Sequence, residues 1–278
     1  MKKVLITGAN SYIGMAVDKW LSKDSETYHV DTLDLINPNW REHSFSDYDV
    51  IFHVAGIAHQ RETKENEPLY YEVNYKLAVE VAEKAKSEGV SQFIILSSMS
   101  VYGLNVGAIT KKMSPNPNTN YGKSKWLADQ DIMKLQANNF LVTVLRPPMV
   151  YGKNCKGNYQ LLRKLAIVSP IFPSLQNQRS MIYIDNLCDF VKLVIDKEMS
   201  GTFHPQNAEY VSTFHMVKEI SKENSKKIYG IGIFNPILRV LKHRLSVFQK
   251  VFGDLTYEKD DLCDTVEFST SIKETEKR

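Results

Sequence analysis

Short apolar runs alternate with amphipathic stretches along the first two-thirds of the chain. KKVLITG (2–8) is an apolar run closed by a glycine, which predicts a buried strand running into a turn. SYIGMAVDKWLSK (11–23) then puts Ile13, Ala16, Val17, Trp20 and Leu21 on one face of a predicted helix. HVDTLDL (29–35) and DVIFHVAG (49–56) predict a second and a third strand. PLYYEVNYKLAVEVAEKAKSEGV (68–90) predicts one long amphipathic helix that stops at Gly89. Further on, SQFIILSS (91–98) predicts a buried strand, NYGKSKWLADQDIMKLQ (120–136) a helix, and LVTVLRPP (141–148) a strand ended by prolines. MIYIDNLCDFVKLVID (181–196) predicts strand, turn and helix.

Strands that are continuous apolar runs and alternate with helices predict a parallel sheet covered on both faces. The expected class is α/β, a Rossmann-like doubly wound parallel sheet with a smaller C-terminal substrate-binding lobe. The regular alternation fades after about residue 150, where loops rich in Asn, Pro and Lys begin. Residues 1–150, with 181–200 returning to them, are therefore expected to form the main domain, and 151–180 with 201–278 the lobe.

Composition changes this picture little. With 278 residues, 43% hydrophobic and 24% charged, the chain is an ordinary globular one. A net charge of +3 gives no argument for nucleic acid. Cys155, Cys188 and Cys263 are far apart and lack metal-ligand or disulfide spacing, so no metal is expected and a cytoplasmic setting is. VLIT runs into the glycine turn too soon for a secretory leader. IYGIGIFNPILRVL (228–241), interrupted by Asn235, Pro236 and Arg239, falls short of a membrane span and is expected to be a buried helix or turn in the lobe. Lys242, His243, Arg244 and Lys250 follow it, leaving a peripheral membrane contact as the less favoured alternative.

Chemistry enters at TGANSYIG (7–14). Gly8 follows a strand and Gly14 lies inside the next helix, the context in which a glycine turn reads as a pyrophosphate site. Gly8 permits the turn, Gly14 permits close helix–strand packing, and the helix N-terminus offers N–H groups and partial positive charge. Ser11 stands where a middle glycine is usual. It is small enough to let backbone approach the pyrophosphate, and its hydroxyl is placed to donate to it. Asp34 lies twenty residues beyond Gly14, the spacing of an acid that bonds the adenosine ribose. A carboxylate there repels a 2′-phosphate, so of NAD(H) and NADP(H) the former is favoured. Asp31 is the other candidate acid but lies within the strand.

Tyr121 and Lys125 are four apart on a predicted helix and share one face. Ser98 ends a buried strand, at the sheet edge where ligands bind in open α/β folds. Reducing a carbonyl by hydride requires a proton on its oxygen, which a tyrosine can give and, as phenolate, take back. Its ordinary pKa of about 10 must be lowered by a nearby ammonium and a cationic nicotinamide. Lys125 can also bond the nicotinamide ribose, and Ser98 can hold the substrate oxygen.

Taken together, TGANSYIG, DVIFHVAG, FIILSSMSVYG, NYGKSK, LRPPMVYG and RSMIYIDNL resemble the extended short-chain dehydrogenase/reductases, the NAD-dependent sugar-nucleotide epimerases, dehydratases and ketoreductases. The likeness covers residues 2–205. It implies a Ser98–Tyr121–Lys125 triad and cofactor contacts from Gly8, Asn10, Ser11, Tyr12, Ile13, Gly14, Asp34, Ala55, Gly56, Tyr121, Lys125 and Pro148. Met99 and Ser100 stand where the dehydratases carry an Asp-Glu pair, which disfavours dehydration. Met149 replaces a substrate-binding Asn common in the family, a role that then passes to Asn158. Arg179 matches the arginine that grips the nucleotide diphosphate. RPPMVYG-KNCKGN, NQRSMIYIDNL, GTFHPQN and LSVFQKVFG look most like bacterial capsule and O-antigen members that reduce UDP-linked 4-keto-6-deoxy-N-acetylhexosamines.

The resemblance thus implies a 4-ketoreductase acting on a UDP-sugar, with a 4-epimerase holding NAD as the alternative and a non-catalytic dinucleotide sensor less favoured. Helices 68–88 and 120–136 resemble those of the family's dimer interface, which implies a homodimer unless their apolar faces are covered within the chain. His53 is expected in the core, His204 in a loop near the nucleotide, and Asn74 as a helix residue that bonds backbone near the active strand.

Overall fold

The computed structural model describes residues 1–277 except 59, 234, 237, 239, 241–245, 260, 261 and 263. Cys263, Arg239, Lys242, His243 and Arg244 thus lie outside the described residues. The chain divides into two compact units: residues 1–103, 115–147 and 187–205 form the first, and 104–114, 148–186 and 206–278 the second.

The first unit is built on one six-stranded parallel sheet. Its strands are β1 (Lys2–Thr7), β2 (Tyr28–Leu33), β3 (Val50–His53), β4 (Gln92–Leu96), β6 (Leu141–Leu145) and β10 (Gly201–Phe203). Their order across the sheet is β10-β6-β4-β3-β1-β2. β1 pairs with β2 on one side and β3 on the other, so the chain reverses its direction of travel there. That reversal opens a crevice beyond the carboxyl ends of β1 and β3, the ligand-binding position of such sheets.

α3 (Leu77–Ser87) and α4 (Asn120–Met133) cover one face. Their Ala78, Val81, Ala82, Ala85, Ala128 and Ile132 share a core with Leu5, Ile51, Phe93, Val142 and Val144 of the sheet. These six side chains are covered within the chain, while Leu77, Val79 and Met133 are only partly buried. Alternation along β1 turns Ile6 the other way, toward α1 (Tyr12–Leu21). α6 (Ile184–Asp196) lies beside α1, where Trp20 Nε1 donates to Asp189 Oδ1 at 3.0 Å.

The expected long helix 68–90 is three pieces: α2 (Glu67–Tyr71), a π-helical turn (Glu72–Lys76) and α3. The apolar rhythm continues through the break. The wider turn carries Asn74, fully buried, whose side chain bonds outside its own helix.

Among the described residues, the strands of the second unit pair as two-stranded parallel ladders: β5 (Gly107–Ile109) with β12 (Leu255–Tyr257), β7 (Met149–Tyr151) with β9 (Met181–Tyr183), and β8 (Ile171–Pro173) with β11 (Tyr229–Ile231). Its helices include α5 (Asn158–Val168), α7 (Thr213–Glu223) and the C-terminal Phe268–Glu276. Polar side chains join these small pieces. Asn207 Oδ1 accepts from Tyr183 N at 3.0 Å and Asn186 Nδ2 at 2.8 Å, while its Nδ2 donates to Tyr151 OH at 3.0 Å. Asn177 Oδ1 accepts from Thr213 N at 2.9 Å, and its Nδ2 donates to Gly253 O at 3.1 Å.

The unit boundaries depart from the sequence expectation at particular residues. β10 pairs with β6 and so carries 201–205 into the first unit. β9 pairs with β7 and carries 181–186 into the second, and it runs straight into α6 with no turn between. Residues 104–114 join the second unit through the β5–β12 ladder. The 228–241 stretch, expected to be a buried helix or turn, opens as β11 with Tyr229 64% and Ile233 77% exposed, and becomes helical beyond, where Leu238 is buried. A ladder of two three-residue strands has too little surface to bury both faces.

Candidate active site

The glycine turn is held from both neighbouring strands. Gly8 N and Ala9 N donate to Leu33 O, and Val54 N and Ala55 N donate to Thr7 O. Gly8 has φ +108°, and a Cβ there would lie 2.7 Å from Ala55 N. Asn10 adopts φ +65°, a conformation Asn tolerates better than most residues. The turn thus brings Gly8, Asn10, Ser11, Tyr12, Ile13 and Gly14 beside Ala55 and Gly56 at the switch point of the sheet.

Ser11 does something the sequence reading did not assign to it. Its Oγ accepts from Gly14 N at 3.1 Å and caps α1. A Cβ on Gly14 would meet that Oγ at 2.5 Å, so the cap and the buried glycine require each other. The spacing of Ser11 three residues before Gly14 was the available signal.

Asp34 follows β2 directly, one residue past the carbonyl that holds the turn. Its Oδ1 accepts from Ile36 N at 2.9 Å, and it is exposed. Asp31 is instead engaged by Tyr48 OH at 2.9 Å and His29 Nε2 at 3.2 Å. A dinucleotide fits this edge. The turn is cleared of side-chain bulk, α1 presents its N-terminus there, and an exposed carboxylate closes the far side.

Ser98, Tyr121 and Lys125 come together at the carboxyl edge of β4. Ser98 lies close enough to the Tyr121 phenol to lower its pKa, and its Oγ accepts from Ser100 N at 3.1 Å. Lys125 is buried and donates to Leu96 O at 3.0 Å. Burial raises the Tyr121 pKa above its ordinary value, and the neighbouring Ser98 hydroxyl pulls against that rise. Burial pulls the Lys125 pKa down to about 8, opposed by the charge of Asp129.

Gly56 links the two halves of the edge. A Cβ there would lie 2.9 Å from Asn74 Oδ1 and 3.1 Å from Lys125 Nζ. Asn74 in turn holds the loop after β3: Oδ1 accepts from Ile57 N at 2.7 Å and Nδ2 donates to Ile57 O at 3.1 Å. Its Nδ2 also reaches Ser124 Oγ on α4 at 3.3 Å.

Four further residues, Glu62, Thr119, Asp129 and Arg146, shape the site. Glu62 caps α4 with both oxygens, accepting from Asn120 N at 2.9 Å and Tyr121 N at 3.0 Å. Thr119 Oγ1 accepts from Gly122 N at 3.1 Å and completes the cap. One turn past Lys125, buried Asp129 accepts from Arg146 Nε and Ser97 Oγ, both at 2.9 Å. Arg146 also donates to Tyr102 OH at 2.9 Å, and Tyr102 OH lies 2.7 Å from His204 Nε2. Burial raises the Asp129 pKa to about 6 even against Arg146. A buried pair like this is readable only once the sheet brings β6 beside α4.

His53 sits in the core as expected, with Nδ1 2.8 Å from Thr7 Oγ1. Burial, helped by the Lys125 charge, drives its pKa down to about 3, so it stays neutral. Pro148, Asn158 and Arg179 belong to the second unit. Pro148 is buried before β7, and Asn158 is exposed at the start of α5. Arg179 is half-buried; its backbone bridges Val211, and its Nη1 donates to Gly253 O at 2.9 Å. Among the described residues no group of His, Cys, Asp and Glu is placed to hold a metal ion.

A parallel sheet with a glycine turn at its switch point and a Ser–Tyr–Lys set at the same edge defines a Rossmann-type nicotinamide enzyme. Residues 4–205 match the NAD dependent epimerase/dehydratase family, and the chain belongs to that family. It is 31% identical to a UDP-glucose 4-epimerase of Vibrio cholerae, over 95% of this chain and 84% of that protein. It is 23% identical to the N-acetyl-alpha-D-glucosaminyl-diphospho-ditrans,octacis-undecaprenol 4-epimerase of Escherichia coli O157:H7, over 90% of this chain and 81% of that protein. Among solved structures, a UDP-glucuronic acid 4-epimerase from Bacillus cereus in complex with NAD superposes with TM-score 0.78 at 19% identity, covering 99% of this chain and 97% of that one. A dTDP-4-dehydrorhamnose reductase from Bacillus anthracis in complex with NADP gives 0.76 at 18% identity, covering 99% of each. Within the family, the likenesses support an NAD-dependent nucleotide-sugar enzyme. No helix among the described residues is long and apolar enough to cross a membrane.

Proposed function

We propose that this protein is a 4-epimerase that oxidises and re-reduces C4 of a sugar carried on a diphosphate. The observation that carries the reading is the gathering of Ser98, Tyr121 and buried Lys125 at the carboxyl edge of β4, the sheet edge that also holds the glycine turn. The 31% identity to a UDP-glucose 4-epimerase supports the same reaction here. In the two curated relatives the sugar is joined through a diphosphate, to uridine in one and to a polyprenol in the other.

In this reading Gly8, Asn10, Ser11, Tyr12, Ile13 and Gly14 hold the cofactor pyrophosphate, and Asp34 holds the adenosine ribose. Ala55, Gly56, Tyr121, Lys125 and Pro148 border the nicotinamide half. Bound in its oxidised form, NAD supplies the hydride acceptor at C4 and the positive charge that pulls the phenol pKa down. Tyr121, as phenolate, takes the proton from the C4 hydroxyl while Ser98 holds that oxygen. The ketosugar turns over, and Tyr121 returns the proton as hydride comes back on the other face. Asn158 and Arg179 are the proposed contacts to sugar and diphosphate.

A second reading uses the same residues. The resemblance of KNCKGN and NQRSMIYIDNL to the 4-ketoreductases supports stoichiometric reduction of a UDP-4-keto-6-deoxy-N-acetylhexosamine by NADH or NADPH. The two separate in one assay. Purified protein is given UDP-glucose, UDP-galactose and their N-acetyl counterparts without added cofactor, and products are resolved by chromatography. Interconversion is the expected result. No interconversion, together with stoichiometric loss of reduced-nicotinamide absorbance on a 4-keto substrate, would establish the reductase instead.

A further inference from the structure

Charge in this chain is unevenly placed. Residues 148–184 contain five lysines and arginines, residues 224–253 contain six, and neither stretch has an aspartate or glutamate. With a net charge of +3 overall, the remainder of the chain is net negative. The parallel β8–β11 ladder joins the two basic stretches, with Ile171 opposite Tyr229.

The same place exposes apolar side chains. α5 buries Tyr159, Leu162 and Ala166 and packs on α7 with that face. Its other face carries Leu161, Leu165 and Val168, at helical spacing and 55%, 39% and 81% exposed. Ile171 of β8 and Tyr229 and Ile233 of the β11 segment, all exposed, continue the stripe. Exposed Lys164 interrupts it on α5, and exposed Lys226 and Lys227 flank it before β11.

We infer that this face of the second unit docks on an anionic lipid bilayer, with Leu165, Val168, Ile171 and Tyr229 in the headgroup boundary and Lys164, Lys226 and Lys227 against lipid phosphates. Apolar residues bordered by lysines, drawn from two stretches without a carboxylate, are the features of an interfacial contact. A second copy of the chain is the poorer occupant. A two-fold interface places the same patch on itself and brings lysine against lysine with no acid to compensate.

The test is sedimentation of the full-length protein with vesicles of phosphatidylcholine, alone or with one-third phosphatidylglycerol. Binding to the anionic vesicles, at least tenfold weaker on neutral ones and weakened by salt, is expected. Val168→Asp should reduce it at least tenfold. Lys226→Glu with Lys227→Glu should do the same, each variant keeping the wild-type circular dichroism and melting temperature. Both sites are far in sequence from the triad, so a misfolded variant is recognised by its melting curve. If Val168→Asp proves unfolded, Val168→Ser with Lys164→Gln replaces it. Failure to bind anionic vesicles, or unchanged binding by folded variants, overturns the inference. So does a dimer in vesicle-free solution that Val168→Asp dissociates, because the face would then belong to a second copy. The vesicles contain no sugar substrate, so the result is independent of the proposed reaction.

Discussion

The two units solve the same stability problem by different means. In the first, six parallel strands share one sheet, and nearly every buried side chain between sheet and helices is apolar. In the second, three short ladders cannot satisfy much backbone, and Asn177, Asn186, Asn207, Tyr151 and Ser271 join the pieces by buried hydrogen bonds. In the first unit, buried Lys125, Asp129, Arg146 and Asn74 gather toward one sheet edge, while Gln92 and Thr143 are buried elsewhere. Polar burial there borders the proposed site; in the second unit it ties together short pieces that bury their own apolar side chains, Leu162, Met216, Ile220 and Ile272 among them.

That contrast predicts which substitutions silence the protein and which unfold it. The largest expected effect is on turnover. Tyr121→Phe removes the only hydroxyl proposed to move the C4 proton, and a loss of about a thousandfold in kcat is expected from general acid–base loss. Cofactor binding and melting temperature should stay near wild type. A variant that kept its rate would remove Tyr121 from the mechanism.

Asn207→Ala should reverse that pattern. It strands Tyr183 N and Asn186 Nδ2 in a buried site and takes one of two partners from Tyr151 OH, at a cost of about 3 kcal/mol. Urea unfolding should show the loss. A cost under about 1 kcal/mol would mean that the buried asparagines are not what holds the second unit together.

The third test lies in pH. Lys125 has its pKa pulled down to about 8 by burial, so its ammonium loses its proton as pH rises through that value. kcat/KM should therefore fall on the alkaline side near pH 8. Asp129 raises the Lys125 pKa, so Asp129→Asn should move that limb to lower pH. A limb that stays in place would show that Asp129 supports the fold without tuning the lysine.

The smallest effects belong to the glycine turn. Ser11→Ala removes the α1 cap and should cost about 1 kcal/mol. Ser11→Gly, which restores the more usual residue, should cost only a few tenths of a kcal/mol and change cofactor affinity less than tenfold.

Much of the first unit was legible because its strands and helices each carry their own period. The glycine turn and the YxxxK helix were legible for a related reason: their chemistry depends on local spacing. The π-helical break at Asn74 was hidden because the apolar rhythm of 68–90 runs through it. Glu62 and the Asp129–Arg146 pair were hidden because each joins elements distant in sequence. The second unit was harder throughout. Asparagines that serve as structural joints look like loop residues, and the exposed β11 segment has the composition of a buried one.

The central claim is that hydride leaves C4 and returns to C4 of the same sugar. A UDP-hexose deuterated at C4 tests this directly by mass spectrometry of the product and of the free nicotinamide pool. The account predicts a C4 epimer that retains deuterium at C4, with none in free reduced cofactor. Deuterium appearing in the free cofactor, with an unlabelled or keto product, would contradict it.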